Sequence, residues 1–354
     1  MKTPLFYVGA SDNIRNMPFV YEIITSTHHQ GAVMSYIEVS NLRKDFTVKK
    51  KHEKGKLFRE KEIVNALKEV SFSVEKGELV GYIGPNGAGK STTVKILSGI
   101  LTPDGGKVEV GGIVPWKERK KHVKNIGVVF GQRSQLWWDV PIIDSYMLLR
   151  DIYRIPKGDY EARLKELTGA LDLEPIMRTP LRLLSLGQRM RAELCGSLLH
   201  RPELLFLDEP TIGLDAISKL SLRDFLKWEN REYGTTIMLT THDMEDIEAL
   251  CSRVMVLGHG KKLFDGKLQE LLERYDTVRN VNIKYDGEAT DLRLPENVTW
   301  KTTEDGIELS YNPSDLPTTK LLGILQDAGN IRELTLQPEN TDHLIAAMYK
   351  ELDL

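Results

Sequence analysis

Cysteine is scarce in this sequence, and its scarcity excludes two kinds of cross-link. Cys195 and Cys251 are the only cysteines among 354 residues, and neither belongs to a CxxC or Cys/His cluster. Disulfide frameworks and structural zinc sites both need several cysteines or histidines at short spacings, so we expect neither. The N-terminus also lacks the basic, apolar and small-residue order of a secretory leader. We therefore expect a cytoplasmic protein.

Long apolar runs and an excess of one charge are also missing. No stretch approaches the ~20 apolar residues that a membrane-spanning helix requires. Lys and Arg total 48 against 51 Asp and Glu, which gives a net charge of -3. A dedicated nucleic-acid binder would carry an overall basic field, so we expect no nucleic-acid partner. If the protein serves a membrane, it does so from outside the bilayer.

The amino-acid pattern changes twice along the chain. The length of the chain is sufficient for about two domains. Residues 1–33 are mixed and aperiodic, and we expect a disordered extension or a non-native start there. Residues 34–275 are predicted to form the first domain and residues 276–354 a small α+β domain. Within the first domain, residues of about 140–200 have the apolar stripes of a helical subdomain.

Two apolar runs predict the core of the first domain. Residues 204–207 and 236–239 are almost continuously apolar and are bounded by charged or turn residues. Such runs are typical of strands that are buried on both faces of a parallel sheet. The sequence therefore predicts an α/β fold. The later segments alternate with period two, as strands of an antiparallel sheet do, and contain no catalytic constellation.

One charged segment leaves two interpretations open. Residues 49–62 contain seven Lys or Arg against three Glu. The simpler interpretation is a solvated hairpin tip. The alternative is contact with acidic lipid headgroups, since a basic segment near a bilayer gains about 1 kcal/mol per charge.

A glycine-rich segment follows the predicted strand 79–83 and matches the phosphate-binding pattern GxxxxGK[ST]. The backbone N–H groups of such a loop surround a phosphate, and the helix that follows directs its positive end at the same charge. The residues expected to bind the nucleotide are Gly84, Pro85, Asn86, Gly87, Ala88, Gly89, Lys90, Ser91 and Thr92. Lys90 should reach the β- and γ-phosphates, and Ser91 should bind Mg²⁺.

A second motif lies where the apolar run 204–207 ends in two carboxylates, Asp208 and Glu209. Ligands of open α/β sheets bind at the carboxyl ends of the strands. We expect Asp208 to hold Mg²⁺ with its water shell. Glu209 should face the opposite side and polarise the attacking water. An apolar strand followed by Asp-Glu is a weak signal alone, but together with a phosphate-binding loop it indicates nucleotide hydrolysis.

Four further motifs follow the order of the ATP-binding-cassette (ABC) family between residues 35 and about 265. Residues 184–188, Leu-Ser-Leu-Gly-Gln, are similar to the family signature LSGGQ, with Leu186 in place of the usual glycine. Gln132 matches the Q-loop glutamine, Asp215 the D-loop and His242 the switch histidine. The sequence therefore resembles ABC ATP-binding subunits, and the resemblance implies an ABC ATPase fold with an N-terminal antiparallel β subdomain.

The resemblance also implies how the site works. Glu209, His242 and Gln132 would be catalytic, with ATP as substrate, and Ser91, Gln132 and Asp208 would bind Mg²⁺. The nucleotide would be clamped between two subunits, so that Ser185, Gly187, Gln188 and Asp215 complete the site across a dimer. Phe46 would stack on the adenine, although packing in the core is the alternative for this ring.

A tryptophan pair bears on the partner. Trp137 and Trp138 follow the Q-loop position, where family members contact the cytoplasmic part of a separate permease, and they could anchor that contact or fill the core. Together with the segment 112–117 they resemble ABC-2 type exporter ATPases related to daunorubicin-resistance subunits. We expect a peripheral protein on the cytoplasmic face of the cell membrane, bound through permease subunits. The alternative is a non-transport ABC ATPase that acts on ribosomes or DNA.

Overall fold

The computed structural model describes residues 35–49, 61–131, 133–275, 278–286, 294–303 and 306–338. Three expectations lie wholly or mostly outside these ranges: the extension 1–33, the charged segment 49–62 and Gln132. The domain boundaries expected after residues 33 and 275 remain predictions. Within the described ranges, no helix has both the length and the apolar character needed to cross a bilayer.

The first sheet is antiparallel and has the strand order β2-β1-β4. Its strands are β1 (Ser35–Lys49), β2 (Lys61–Glu75) and β4 (Gly105–Val110). Strand β1 pairs with β2 from Ser35↔Glu75 to Lys49↔Lys61. Alternate β1 residues such as Ile37 and Val39 are buried, which is the period-two pattern of a sheet with one face on the core.

The second sheet forms the centre of the α/β core, in the order β5-β6-β7-β3-β8-β9. The strands are β3 (Leu79–Ile83), β5 (Ile126–Phe130), β6 (Leu204–Asp208), β7 (Thr236–Thr240), β8 (Arg253–Gly258) and β9 (Lys261–Lys267). All neighbours are parallel except β8 and β9. Leu205 and Leu207 join one hydrophobic cluster, and Leu204 and Phe206 join another. Strand β6 is therefore buried on both faces, as its apolar run predicts.

Helices connect these strands and bring the polar loops to one edge of the sheet. They are α1 (Lys90–Leu97), α2 (Arg119–His122), α3 (Ile142–Tyr153), α4 (Lys157–Ala170), α5 (Leu186–Leu198), α6 (Ala216–Tyr233), α7 (Met244–Leu250) and α8 (Leu268–Tyr275). Because consecutive strands are parallel, the loops after β3, β6 and β7 all leave from the carboxyl edge of the sheet. The glycine-rich segment 84–89, Glu209 and His242 lie on these three loops.

The third sheet is antiparallel and has its own core. Strands β10 (Arg279–Tyr285), β11 (Thr299–Thr303), β12 (Gly306–Tyr311) and β13 (Ile331–Pro338) pair in the order β11-β12-β10-β13, and helix α9 spans Thr318–Asp327. Val281, Leu309, Leu321 and Leu325 are buried together in a cluster of this segment. The α+β character predicted for this part of the chain is present.

Candidate functional site

The glycine-rich loop joins β3 to α1, and its backbone geometry requires glycine at two positions. Gly89 is the N-cap of α1 and has φ 110°, and a Cβ placed there would lie 2.7 Å from the Ala66 carbonyl oxygen. At Gly84, a Cβ would lie 2.2 Å from the Leu257 carbonyl oxygen. The N-cap residue is a glycine, so it supplies no side chain to the N–H groups of the first turn of α1. This helix start suits an anion, as the motif predicts.

Lys90 lies inside this loop and is only 5% exposed. Its Nζ donates hydrogen bonds to the Gly84 carbonyl oxygen at 2.6 Å and the Pro85 carbonyl oxygen at 3.2 Å. Burial lowers the pKa of this ammonium group, while the charges of Glu209 and Asp208 act in the opposite direction. The loop thus holds a partly desolvated cation whose nearest partners are neutral carbonyl groups, and an incoming phosphate would pair with it.

Asp208, at the end of β6, gathers two hydroxyl groups. Ser91 Oγ donates to Asp208 Oδ1 at 3.1 Å, and Thr240 Oγ1 donates to the same oxygen at 2.5 Å. A hydroxyl and a carboxylate are the oxygen ligands that Mg²⁺ takes from proteins when phosphates supply the rest of its shell. In the described residues no group of three or more His, Cys, Asp or Glu could form a metal cage by itself. The donor set fits Mg²⁺ that arrives with a nucleotide.

Glu209 has a strained backbone. Its φ is 55°, a left-handed conformation that costs a residue with a side chain about 1–2 kcal/mol. Its N–H donates to the Thr240 carbonyl oxygen at 2.9 Å, and its own carbonyl oxygen lies so close to Gly131 that a Cβ there would be 2.2 Å away. Strain of this kind persists only where the surroundings enforce it and is found at functional sites. The neighbouring backbone groups of Gly131 and Thr240 therefore hold the Glu209 backbone in this conformation.

His242 completes this first group of residues. Its Nδ1 lies 3.6 Å from Glu209 Oε1, and its side chain is 58% exposed, whereas that of Glu209 is 21% exposed. The structure therefore brings together Lys90, Ser91, Asp208, Glu209 and His242, which the sequence predicted to share one site.

Ser185, Gly187, Gln188 and Asp215 form a second group at the starts of α5 and α6. Ser185 Oγ accepts a hydrogen bond from the Gln188 N–H at 3.2 Å, and Gln188 Oε1 accepts one from the Ser185 N–H at 3.0 Å. Asp215 caps α6 by accepting hydrogen bonds from the N–H and hydroxyl of Ser218. These bonds lower the pKa of the Asp215 carboxyl group. Among the described residues, this group has no hydrogen bond to the first group.

The two halves of the second group touch through small residues. A Cβ on Gly187 would lie 2.5 Å from Ser218 Oγ, so α5 and α6 approach closely at this point. Leu186, which replaces the usual signature glycine, directs its Cδ2 toward Gly213, 2.9 Å from where a Cβ would be. The substituted side chain thus packs on the loop before α6.

Three other predicted residues lie apart from both groups. Phe46 is half-buried in β1 and belongs to none of the core clusters, and the Lys44 ammonium lies 5.6 Å from its ring centroid. Trp137 and Trp138 are 43% and 47% exposed, so neither is a core residue. The Arg189 guanidinium lies 5.7 Å from the Trp138 ring centroid.

The sequence did not reveal several residues that shape the site. Thr240 and Gly131 act on Asp208 and Glu209 from neighbouring strands, and no local pattern marks them. The capping role of Gln188, by contrast, has a signal in the sequence, because Ser-x-x-Gln before a helix is a capping box.

Comparisons with known proteins agree with this geometry. Residues 67–212 match the family model described as ABC transporter. The chain is 32% identical to the linearmycin resistance ATP-binding protein LnrL of Bacillus subtilis, over 78% of this chain and 91% of that protein. The chain belongs to the ABC transporter family. It is an ATPase of that family, and the predicted fold class is confirmed.

Two other similar proteins show the breadth of the family. The methionine import ATP-binding protein MetN 2 of Enterococcus faecalis is 34% identical over 69% of this chain and 68% of its own length. The ATP-binding cassette MJ0796, solved as a dimer in a post-hydrolysis state with ADP and Pi, is 26% identical with a TM-score of 0.56. That match covers 66% of this chain and 98% of the solved cassette. Relatives of this ABC ATPase therefore include an import subunit as well as a resistance protein.

Proposed function

We propose that this chain is the ATP-binding and hydrolysing subunit of a membrane ABC transporter of the ABC-2 exporter type. The observation that carries the proposal is the convergence of Lys90, Asp208 and Glu209 with His242 at one edge of the parallel sheet. The similarity to a resistance protein over 91% of its length supports export. ATP hydrolysis would close and reopen a pair of these subunits and so move the permease.

The residues of the glycine-rich loop would bind the triphosphate. Backbone N–H groups of 84–89 and the start of α1 would surround the β-phosphate, and Lys90 would leave its carbonyl partners to pair with the β- and γ-phosphates. Ser91 and Asp208 would hold Mg²⁺, together with Gln132. The ion neutralises charge on the phosphate oxygens when it is bound. The Phe46 ring would stack on the adenine.

Glu209 and His242 would carry out the hydrolytic step. The carboxylate of Glu209, whose backbone is held in a left-handed conformation, would polarise the attacking water as a general base. His242 lies 3.6 Å from that carboxylate and would contact the γ-phosphate. Their effect is to orient the water and to balance charge that develops at the transferred phosphoryl group.

The second group of residues would act on the nucleotide of another subunit. Ser185 and Gly187 stand at the start of α5, where the positive end of the helix would suit a phosphate, and Asp215 lies at the start of α6. ATP would thus join two subunits, with Lys90 from one and Ser185 from the other.

Replacement of the proposed base tests this scheme. Glu209→Gln keeps the size and the hydrogen bonding of the side chain but removes the base, so we expect ATP binding without turnover. The variant should elute as a dimer with ATP and Mg²⁺ in size-exclusion chromatography, and its kcat should fall at least about 100-fold. A monomer under these conditions, alongside robust turnover by the wild-type protein, would contradict the shared site.

The permease contact has a separate test. Two half-exposed tryptophans in the loop before α3 offer an apolar anchor to a partner groove. We expect affinity purification from solubilised membranes to recover a multi-span permease with the wild-type chain and not with Trp137→Ala/Trp138→Ala. Trp300→Ala is a matched control, because Trp300 is 50% exposed but lies on β11. Recovery of ribosomes or DNA would instead favour the non-transport alternative.

A further inference from the structure

Asp246 is fully buried in α7 and has no role in the scheme above. Its two carboxylate oxygens have different partners. Oδ1 accepts a hydrogen bond from Arg223 Nε at 2.6 Å, and Oδ2 accepts one from the Thr211 hydroxyl. Arg223 belongs to α6, and Thr211 lies two residues after Glu209. Asp246 therefore bonds to the segment that carries the proposed base.

The other proposed catalytic side chain, His242, lies just before the same helix. Asp243 is the N-cap of α7 and directly follows His242. Asp243 pairs with Lys219 of α6, and Arg223 Nη2 lies 3.9 Å from Asp243 Oδ1. Arg223 also donates to Glu245 at 3.4 Å. The start of α7 is thus bound to α6 through charged side chains at successive positions.

These contacts join the segment that carries Glu209 to the segment that carries His242 at two points. On one side, the Glu209 N–H donates to the Thr240 carbonyl oxygen, two residues before His242. On the other side, Thr211 is bound to Asp246, four residues after His242. Both ends of each catalytic segment are therefore held, and Glu209 cannot leave its strained conformation unless one of these bonds breaks.

We infer that Asp246 is a positioning residue, which acts through Thr211 to set the separation of Glu209 from His242 during hydrolysis. A carboxylate suits the task because it can accept from the guanidinium and the hydroxyl at the same time, on separate oxygens. The inference rests on the proposed roles of Glu209 and His242. It adds that a buried ion pair between Asp246 and Arg223 holds their geometry through Thr211.

Removal of the hydrogen bond between Thr211 and Asp246 should lower the rate of ATP hydrolysis and leave nucleotide affinity intact. Thr211→Val is isosteric and lacks the donor, and Asp246→Asn lacks the charge and one acceptor. We expect each variant to lower kcat about 10-fold or more, since small misplacements of reacting groups have large effects on rate. The KM for ATP should stay within about two-fold, because Lys90 and its loop are untouched. Thr211→Ser restores the hydroxyl and should recover most of the rate.

Non-additive effects on kcat distinguish a positioning role of the Thr211–Asp246 hydrogen bond from a general loss of stability. If both residues act through one hydrogen bond, the double variant Thr211→Val/Asp246→Asn should have a kcat no lower than that of the less active single variant. Glu229→Gln is the matched control, because Glu229 and its partner Arg163 are each 1% exposed and form the ion pair between α4 and α6. We expect it to lower the melting temperature while kcat stays unchanged.

Two results would overturn the inference. One is a kcat within about two-fold of wild type for Thr211→Val and, where it folds, for Asp246→Asn. The other is a loss of rate that Glu229→Gln shares. If Asp246→Asn does not fold, the comparison of Thr211→Val with Thr211→Ser decides the matter. Absence of ATP hydrolysis by the wild-type chain would contradict the proposed function itself, which distinguishes the two failures.

Discussion

At the scale of single residues, the site depends on side chains that the sequence reveals and on backbone contacts that it conceals. Lys90, Asp208 and Glu209 were predictable, because the phosphate loop and the acidic strand end are local patterns with known chemistry. The left-handed backbone of Glu209 was not predictable. It results from Gly131 and Thr240, which the sheet brings from two other strands.

Gly131 provides a test of this arrangement. A Cβ on Gly131 would lie 2.2 Å from the Glu209 carbonyl oxygen. Relief of this overlap requires a shift of backbone atoms, which is costly in free energy. We expect Gly131→Ala to destabilise the fold by about 1–3 kcal/mol and to lower kcat, as measured by thermal melting and ATP hydrolysis. Gly158→Ala is the control, since a Cβ there meets nothing within 4 Å and alanine favours the helix. Equal melting temperatures for the two variants would contradict the close approach.

At the scale of elements, local signals and distant pairings differ in how well they can be predicted. The capping box Ser185-x-x-Gln188 and the N-cap Asp215 depend on neighbouring residues, so spacing alone reveals them. The contacts of Asp246 depend on the register of α6 against α7, and that register is set by tertiary packing. The boundary of β6 was predicted closely because an apolar run between charged residues has few alternatives.

The α4–α6 ion pair gives the prediction at this scale. Arg163 Nη2 donates to both oxygens of Glu229, at 2.7 and 2.8 Å, and both side chains are buried. Glu229→Gln leaves the buried Arg163 with only the partly exposed Glu166 as a charged partner, so the variant should cost about 3 kcal/mol in chemical denaturation. Replacement of both residues by Met should recover much of that stability, because the pair is exchanged for apolar packing. A double variant less stable than the single variant would contradict this account.

At the scale of the whole molecule, the proposed function divides the described site residues into two half-sites. The phosphate loop with Glu209 forms one, and the starts of α5 and α6 form the other. Their roles could be predicted only through the family resemblance, since one chain does not show which surface faces a second copy. Residue spacing alone cannot reveal a site that two molecules share.

Mixing of two inactive variants tests the sharing directly. Lys90→Ala removes the phosphate cation, and Gly187→Asp displaces the signature loop, because a side chain at position 187 would start 2.5 Å from Ser218 Oγ. In a mixed dimer, one of the two sites receives Lys90 and Gly187 intact from opposite subunits. An equimolar mixture should therefore recover up to about a quarter of the wild-type ATPase rate. No recovery, although both variants form dimers, would contradict the shared site.

The close approach of Gly131 to Glu209 has a consequence for how an outside event could reach the chemistry. The Gly131 N–H donates to the Asp208 carbonyl oxygen at 2.9 Å, and the chain leads on within a few residues to the Trp137–Trp138 pair. A permease that binds those rings would hold one end of a short segment of chain. The other end of that segment, Gly131, contacts the backbone of Glu209, the proposed general base. Displacement of this segment would release Glu209 from its strained backbone conformation and stop hydrolysis while ATP stays bound.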